Sequence, residues 1–84
     1  MVKNLYAVQD VKVSVFYPPI SLINDGEATR MLKDIVDNPE SPISKHSDDF
    51  RLFRLGTFDD NSGVLSPLAQ PEFIINASEL KNKN

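Results

Sequence analysis

Two pairs of neighbouring carboxylates, Asp48–Asp49 and Asp59–Asp60, come closest in this sequence to the residues of an acid–base catalyst. Paired carboxylates serve as general acid and general base when burial in a shared pocket drives their pKa values apart. Both pairs lie in turn-like sequence at the ends of a predicted strand, where water keeps carboxylates ionised. We therefore expect turn and strand-end charges, and we predict that the protein is not an enzyme.

The sequence gives equally little support for a metal site or a catalytic nucleophile. The 84 residues contain no cysteine and one histidine, His46, which lies in a polar loop beside Lys45 and Asp48. A zinc site requires several nitrogen or sulfur ligands, and the Asp59–Gly63 run lacks the ligand spacing and the distal glutamate of a calcium loop. The sequence predicts no catalytic residue, no metal and no cofactor.

The stretch Phe50–Phe58 interleaves three phenylalanines with two arginines and is the one pattern that favours a binding function. Sheets that bind single-stranded nucleic acid stack bases on aromatic rings and hold phosphates with cations. The alternative is that the rings form the core and the arginines stay in solvent, which is the commoner fate of phenylalanine. In the binding interpretation Arg51, Arg54 and Lys45 contact phosphates, and Phe53 stacks a base.

Strand geometry limits which of these side chains act together. Because side chains alternate between the two faces of a strand, Arg51 is expected to share a face with Phe53, and Arg54 to share the other with Phe50 and Phe58. The second set carries two phenylalanines and is typical of a core face. We expect the ligand on the face of Arg51 and Phe53.

A β-β-α-β-β order of elements must position this stretch. Lys3–Gln9 and Val13–Tyr17 alternate as two strands. Pro18–Pro19 ends the second strand because proline lacks the backbone N–H that a sheet requires. Ile20–Ile23 is then predicted to be a short apolar connection.

The helix of this order begins at Asn24, whose side chain can cap it with help from Glu27, and it stops at Asn38–Pro39. Its apolar residues recur at helical spacing and form one stripe, with Ile23 expected as a hydrophobic staple. The stripe consists of Ala28, Met31, Leu32, Ile35 and Val36. This amphipathic helix is predicted to pack on one face of the sheet.

The remaining segments complete a small α+β fold. Pro39–Asp49 is predicted to be a surface loop, and the turn that ends at Gly63 leads into a return strand that Pro67 is expected to cut short. Asn76–Leu80 has the chemistry of a helix start but too little length. We predict one α+β domain over residues 1–80, with a small antiparallel sheet, and a disordered polar tail over residues 81–84.

Size and charge narrow the possible partners. A chain of 84 residues buries a small core, and a central strand that is apolar on both faces needs two covers, so we expect a homo-oligomer. A formal charge of -3 and a pI near 4.9 oppose general binding of duplex DNA. No stretch has the length of a signal-peptide core or a membrane span. We expect a soluble, intracellular protein with no membrane contact.

Four stretches carry a family resemblance: Tyr17–Ile20, Asn24–Ala28, the helix end at Asp37–Pro39, and His46–Asp60. In this order they resemble the small nonstructural protein of the gokushoviruses, which are Microviridae bacteriophages. The strongest signature is the Leu-Gly-Thr-Phe-Asp-Asp run that ends at Asp60. The resemblance extends from Leu5 to Leu80, nearly the whole chain.

This resemblance implies a phage-encoded protein that is made in the host cytoplasm, is absent from the virion and is assigned to genome replication, often with single-stranded DNA binding. It brings no catalytic residues. The expected function is support of phage genome replication by binding single-stranded DNA. The alternative is a protein-interaction regulator of the replication or packaging machinery, with a phage replication protein as its partner, which the acidic pI favours. The matching turn, cap and hairpin positions are Pro18, Pro19, Asn24, Gly26, Gly56, Asp59 and Gly63.

Overall fold

An antiparallel sheet with helices on one face forms the frame of the computed structural model, which describes residues 1–81. The two helices, α1 and α2, span Asp25–Val36 and Pro42–Lys45, and single 3₁₀ turns span Ser47–Asp49 and Ala77–Leu80. The strands are β1 (Val2–Asp10), β2 (Val15–Phe16), β3 (Ile20–Leu22), β4 (Phe50–Asp59) and β5 (Leu65–Asn76). The predicted α+β class, with its antiparallel sheet and its single main helix, is confirmed.

The strand order is β2-β1-β4-β5, and β3 pairs with the same edge of β1 as β2 does. The central pair, β1 and β4, extends from Val2 opposite Asp59 to Asp10 opposite Phe50, with one register shift between Leu5 and Tyr6. The connection predicted at Ile20–Ile23 is wrong in part, because Ile20–Leu22 forms β3. This strand supplies hydrogen-bond partners to the backbone of Asn4–Tyr6, which β2 is too short to reach.

The return strand also differs from its prediction. β5 continues as one strand through Pro67 and Pro71 to Asn76, although its pairing with β4 stops at Pro67, as expected, and resumes at Glu72. The reason is that β5 is an edge strand, where a missing N–H can face solvent. The preceding turn agrees with the sequence, since Gly63 has the positive φ (78°) that favours glycine.

Helix α1 follows its predicted pattern closely. The Asn24 side-chain oxygen accepts a hydrogen bond from the Glu27 N–H at 2.9 Å, which caps the first turn. The Glu27 carboxylate accepts from the Ile23 N–H at 3.3 Å instead of completing the box at Asn24, and Ile23, the predicted staple residue, keeps about half of its surface exposed. Ala28, Leu32 and Val36 are buried, which confirms the stripe.

The core lies between this stripe and the helical side of the sheet. Tyr6, Val8, Phe50 and Leu52 supply the sheet side, together with Ala77 from the last 3₁₀ turn. Burial of each larger apolar side chain contributes about 1.5–3 kcal/mol, so docking of α1 is the main source of stability.

The segment predicted to be a surface loop lies largely at the surface, but it contains helix α2 and a 3₁₀ turn, and its Ile43 joins the core. Ser41 caps the short helix α2 through the Ile43 N–H at 3.1 Å, and Ile43 and Ser44 are buried. The Lys81 ammonium donates to the Ser44 carbonyl at 2.8 Å, which ties the end of the described chain to α2. The disordered tail predicted for residues 81–84 stays a prediction, although Lys81 makes this contact, since residues 82–84 lie outside the described residues.

Tyr6 joins the sheet to the first turn of α1. Its ring is fully buried, its hydroxyl donates to the Asp25 carboxylate at 2.6 Å, and it accepts from the Asn4 amide at 3.1 Å. Burial and, next, the hydrogen bond to Asp25 raise the pKa of Tyr6 to about 12. The neutral phenol is thus the form that the folded chain favours.

Stability should fall in alkali because of Tyr6. The unfolded chain loses the phenolic proton near the ordinary pKa of 10.0 and the folded chain near 12, so this contribution is complete below pH 10 and is lost between pH 10 and 12. Denaturant titrations of the wild type and Tyr6→Phe should show a stability gap that narrows over this range. A gap that stays constant would mean that folding does not perturb the phenol.

Candidate nucleic-acid interface

A β-bulge in β4 decides which side chains share a face. Leu5 lies opposite Gly56, and Tyr6 lies opposite Arg54, so Leu55 has no partner on β1. The extra residue shifts the alternation of β4 by one position from Gly56 onwards. Phe58 therefore lies on the face of Phe53, and the expectation that it shares a face with Phe50 is wrong.

We call the sheet face opposite α1 the open face. Directly paired residues on neighbouring strands point to the same side, so the pairs of Phe53 with Ala7 and with Phe73 define it. The helical residues of the core all pack on the other side. The strand positions of the open face within residues 1–81 include no acidic residue. They are Lys3, Leu5, Ala7, Gln9, Phe16, Ser21, Arg51, Phe53, Gly56, Phe58, Leu65, Pro67, Phe73 and Asn76.

Three phenylalanines from three strands meet on the open face, and we call them the aromatic cluster: Phe16, Phe53 and Phe73. The Phe53 centroid lies 5.5 Å from that of Phe16 and 5.9 Å from that of Phe73, at interplanar angles of 63° and 70°. These are the edge-to-face contacts that aromatic quadrupoles favour. Phe73 keeps 49% of its surface exposed and Phe16 keeps 38%. The cluster is thus a rigid apolar platform that remains accessible to solvent.

Positive charge accompanies the aromatic cluster. Arg51 is exposed, and its guanidinium has no hydrogen bond or ion pair within residues 1–81. Lys3 lies at the far end of the same face, with its ammonium 3.5 Å from Asp60. The acidic strand residues Asp10, Asp59 and Glu72 occupy positions on the helical side. The net negative charge of the chain is therefore distributed unevenly between the two sides of the sheet.

The structure brings together two of the four residues predicted to bind DNA. Arg51 and Phe53 share the open face, as expected. Arg54 lies on the helical side, where its guanidinium binds Glu72 at 3.1 Å and the pKa of Arg54 rises because of that bond. Lys45 ends α2, also among the helices.

Phe16 and Phe73 are binding candidates that the residue pattern alone did not single out. Each lies far from Phe53 in the chain, and only the register of β2 and β5 places them beside it. The alternation within Val13–Tyr17 was a usable signal for the direction of Phe16, but the β2 register was needed to find its neighbour.

The acidic pairs lie at strand ends, as expected. The N-terminal ammonium, 2.6 Å from the Asp60 carboxylate, lowers the pKa of Asp60, and the Asn61 N–H lowers that of Asp59. Lowered pKa values keep these carboxylates ionised at neutral pH, which suits turn contacts and opposes a role as general acid. Within residues 1–81, His, Asp and Glu side chains form no cluster suited to a metal ion.

No helix within residues 1–81 is long and apolar enough to cross a bilayer.

Comparison with known proteins identifies the family but gives no close relative. No match was found among curated proteins or among solved structures. The sequence model described as Phage ORF5 protein matches residues 3–80. Apart from Val2 at the start of β1, this range includes all five strands and both helices, and a bacteriophage origin agrees with the resemblance noted from the residues. The chain belongs to the Phage ORF5 protein family.

Proposed function

We propose that this phage protein binds single-stranded DNA through the open face and thereby supports replication of the viral genome in the host cytoplasm. The observation that carries the proposal is an uncovered sheet face that presents three contacting phenyl rings and no acidic strand position. Such a face offers apolar surface to bases and does not repel phosphates.

The chemistry of the face favours single strands over duplexes. Each base that stacks on an aromatic ring contributes about 1–3 kcal/mol, and duplex pairing hides the base faces that such stacking needs. Binding of a duplex relies on many phosphate contacts, whereas Arg51 and Lys3 are the basic strand positions of the open face within residues 1–81. Affinity should therefore be modest and dominated by stacking.

Two substitutions separate the stacking contribution from the charge contribution. Arg51→Glu should weaken binding to a fluorescent thymidine oligomer and reduce the salt slope by about one phosphate contact. Phe53→Ala should remove about 1–3 kcal/mol and leave the salt slope unchanged. Fluorescence anisotropy at several low salt concentrations measures both quantities.

Lys45→Glu is the matched control, because it makes the same charge change as Arg51→Glu on the helical side. We expect it to leave binding nearly unchanged. If it weakens binding as much as Arg51→Glu does, the site lies among the helices. If the wild type fails to bind at tens of micromolar protein, the proposal falls and the protein-interaction regulator becomes the better hypothesis.

A second copy of the chain is the competing occupant of the open face, and the predicted homo-oligomer remains a prediction. Face-to-face pairing would cover the aromatic cluster but would place the unpaired Arg51 cations of two copies on one interface, whereas a polyanion neutralises them. Sedimentation of the protein with and without the thymidine oligomer distinguishes a second copy of the chain from DNA as the occupant of this face. A dimer that dissociates as DNA binds would assign both occupants to this face.

A further inference from the structure

A concave site, separate from the open face, lies on the helical side of the sheet where β1 ends and β4 begins. It is an open pocket of about 420 Å³ between the β1 end, the residue after β2 and helix α2. Its position beyond Asp10 and Phe50 places it behind the open face, so a ligand there would not compete with one on the aromatic cluster. The proposal below is therefore independent of the proposed function.

The walls of the pocket are aromatic and firmly held. Tyr17 packs edge-to-face on Phe50, with centroids 6.1 Å apart, and Pro42 from α2 completes the apolar lining. Phe50 is buried and forms the floor, whereas Tyr17 keeps 41% of its surface exposed. The backbone on each side is fixed, since the Tyr17 N–H donates to the Val8 carbonyl at 2.8 Å. Tyr17 thus offers a preformed wall on which a planar group can stack.

Two carboxylates supply hydrogen-bond acceptors at this wall. Asp10 uses one oxygen to accept the Lys12 N–H at 3.0 Å, and the Asp49 carboxylate accepts no hydrogen bond within residues 1–81. Asp49 is held in place by its backbone, whose carbonyl accepts the Val11 N–H at 2.9 Å. The side chain of Lys12 also lines the pocket and is exposed. His46 also lines the pocket, and its imidazole can donate or accept a hydrogen bond. Two carboxylates thus face one permanent cation, Lys12, and the lining favours a ligand that brings N–H groups and positive charge.

We propose that this pocket binds an arginine side chain of a basic protein partner. A guanidinium is planar, stacks on aromatic faces and donates through a fork that matches carboxylates. Tyr17 would carry the stacked plane, and Asp49 and Asp10 would accept its N–H groups. A lysine lacks the plane, and a nucleotide would bring its phosphate against two carboxylates. The negative net charge of the chain further favours a basic partner.

A blocked pentapeptide with one arginine among four glycines tests this assignment directly. Titrated into ¹⁵N-labelled protein, it should shift the amide resonances of Val11, Tyr17 and Asp49. The same peptide with citrulline, which keeps the planar shape but lacks the charge, should bind about tenfold more weakly or not at all. Asp49→Asn removes the acceptor charge without removing volume and should weaken the arginine peptide by about tenfold.

Lys12→Ala gives a prediction of opposite sign. It removes the one permanent cation that lines the pocket and should strengthen binding of the arginine peptide, whereas it should weaken binding of any phosphate-bearing ligand. Deoxyguanosine monophosphate is the competing probe. Equal binding of the arginine and citrulline peptides, or deoxyguanosine monophosphate binding that is lost in Lys12→Ala, would overturn the proposal. Arg51→Glu should not affect the arginine peptide, which keeps this result separate from that of the open face.

Discussion

Replacing Leu32 with aspartate should leave the chain unfolded at room temperature. Leu32 is fully buried at the centre of the α1 stripe, where it packs in the core with Tyr6 and Leu52. Loss of a large apolar side chain from a core costs about 2–5 kcal/mol, and an unpaired buried charge adds to this. A domain of this size has only about 3–5 kcal/mol to lose. Circular dichroism at 25 °C should show loss of the folded spectrum without a cooperative thermal transition.

Arg30→Asp is the matched control, because it introduces the same side chain on the exposed face of the same helix. We expect its stability to stay within about 1 kcal/mol of the wild type. Lys33, which the sequence pattern places on this outer face, is a poorer control because its ammonium lies 2.7 Å from the Asp37 carboxylate. Equal melting temperatures for Leu32→Asp and Arg30→Asp would mean that the buried stripe is misplaced.

Gly56→Ala should be the second most damaging of the proposed substitutions, although it adds one methyl group. A Cβ atom at Gly56 would clash with the Ser66 carbonyl oxygen and would lie 2.8 Å from the Pro67 Cα. Both atoms belong to the backbone of β5, so no side-chain rotation relieves the clash. We expect about 1–3 kcal/mol of destabilisation, measured by urea denaturation, as β5 is pushed away from β4.

Gly26→Ala provides the comparison, since the new Cβ would approach only the Asn24 side-chain oxygen, at 3.3 Å. Alanine is favoured over glycine in a helix by up to about 1 kcal/mol, which offsets mild crowding of the cap. Its stability should therefore remain close to that of the wild type. A Gly56→Ala variant that unfolds at the same urea concentration as Gly26→Ala would contradict the close approach of β5.

The sequence allowed prediction of those parts of the fold whose causes are local. Asn24 indicates the start of the helix because its side chain accepts a hydrogen bond from the backbone N–H three residues on. The burial of Leu32 follows from helical spacing. The pairing of Ile20–Leu22 with β1 is different, because it depends on backbone groups of Asn4–Tyr6 left open elsewhere in the chain. Sequence periodicity does not show which backbone groups elsewhere in the chain lack hydrogen-bond partners.

The candidate site was likewise predictable from the sequence only in part. Arg51 and Phe53 are two positions apart on one strand, so alternation alone predicted their shared face. Phe58 was misplaced because the bulge at Leu55 interrupts that alternation, and the one residue-type signal for it was Gly56 inside the strand pattern. Phe73 joins the cluster only through the irregular register of β5, which sequence spacing could not supply.

Both edges of the sheet are interrupted by proline. On one edge Pro18–Pro19 separates β2 from β3, and on the other Pro67 and Pro71 lie within β5. A protein with an uncovered apolar sheet face risks templating strands of other molecules into fibres, and such growth needs a continuous row of edge N–H groups. These prolines leave gaps in that row on each side. The molecule can thus leave phenyl rings in contact with water, because the prolines oppose strand addition at both edges of the sheet.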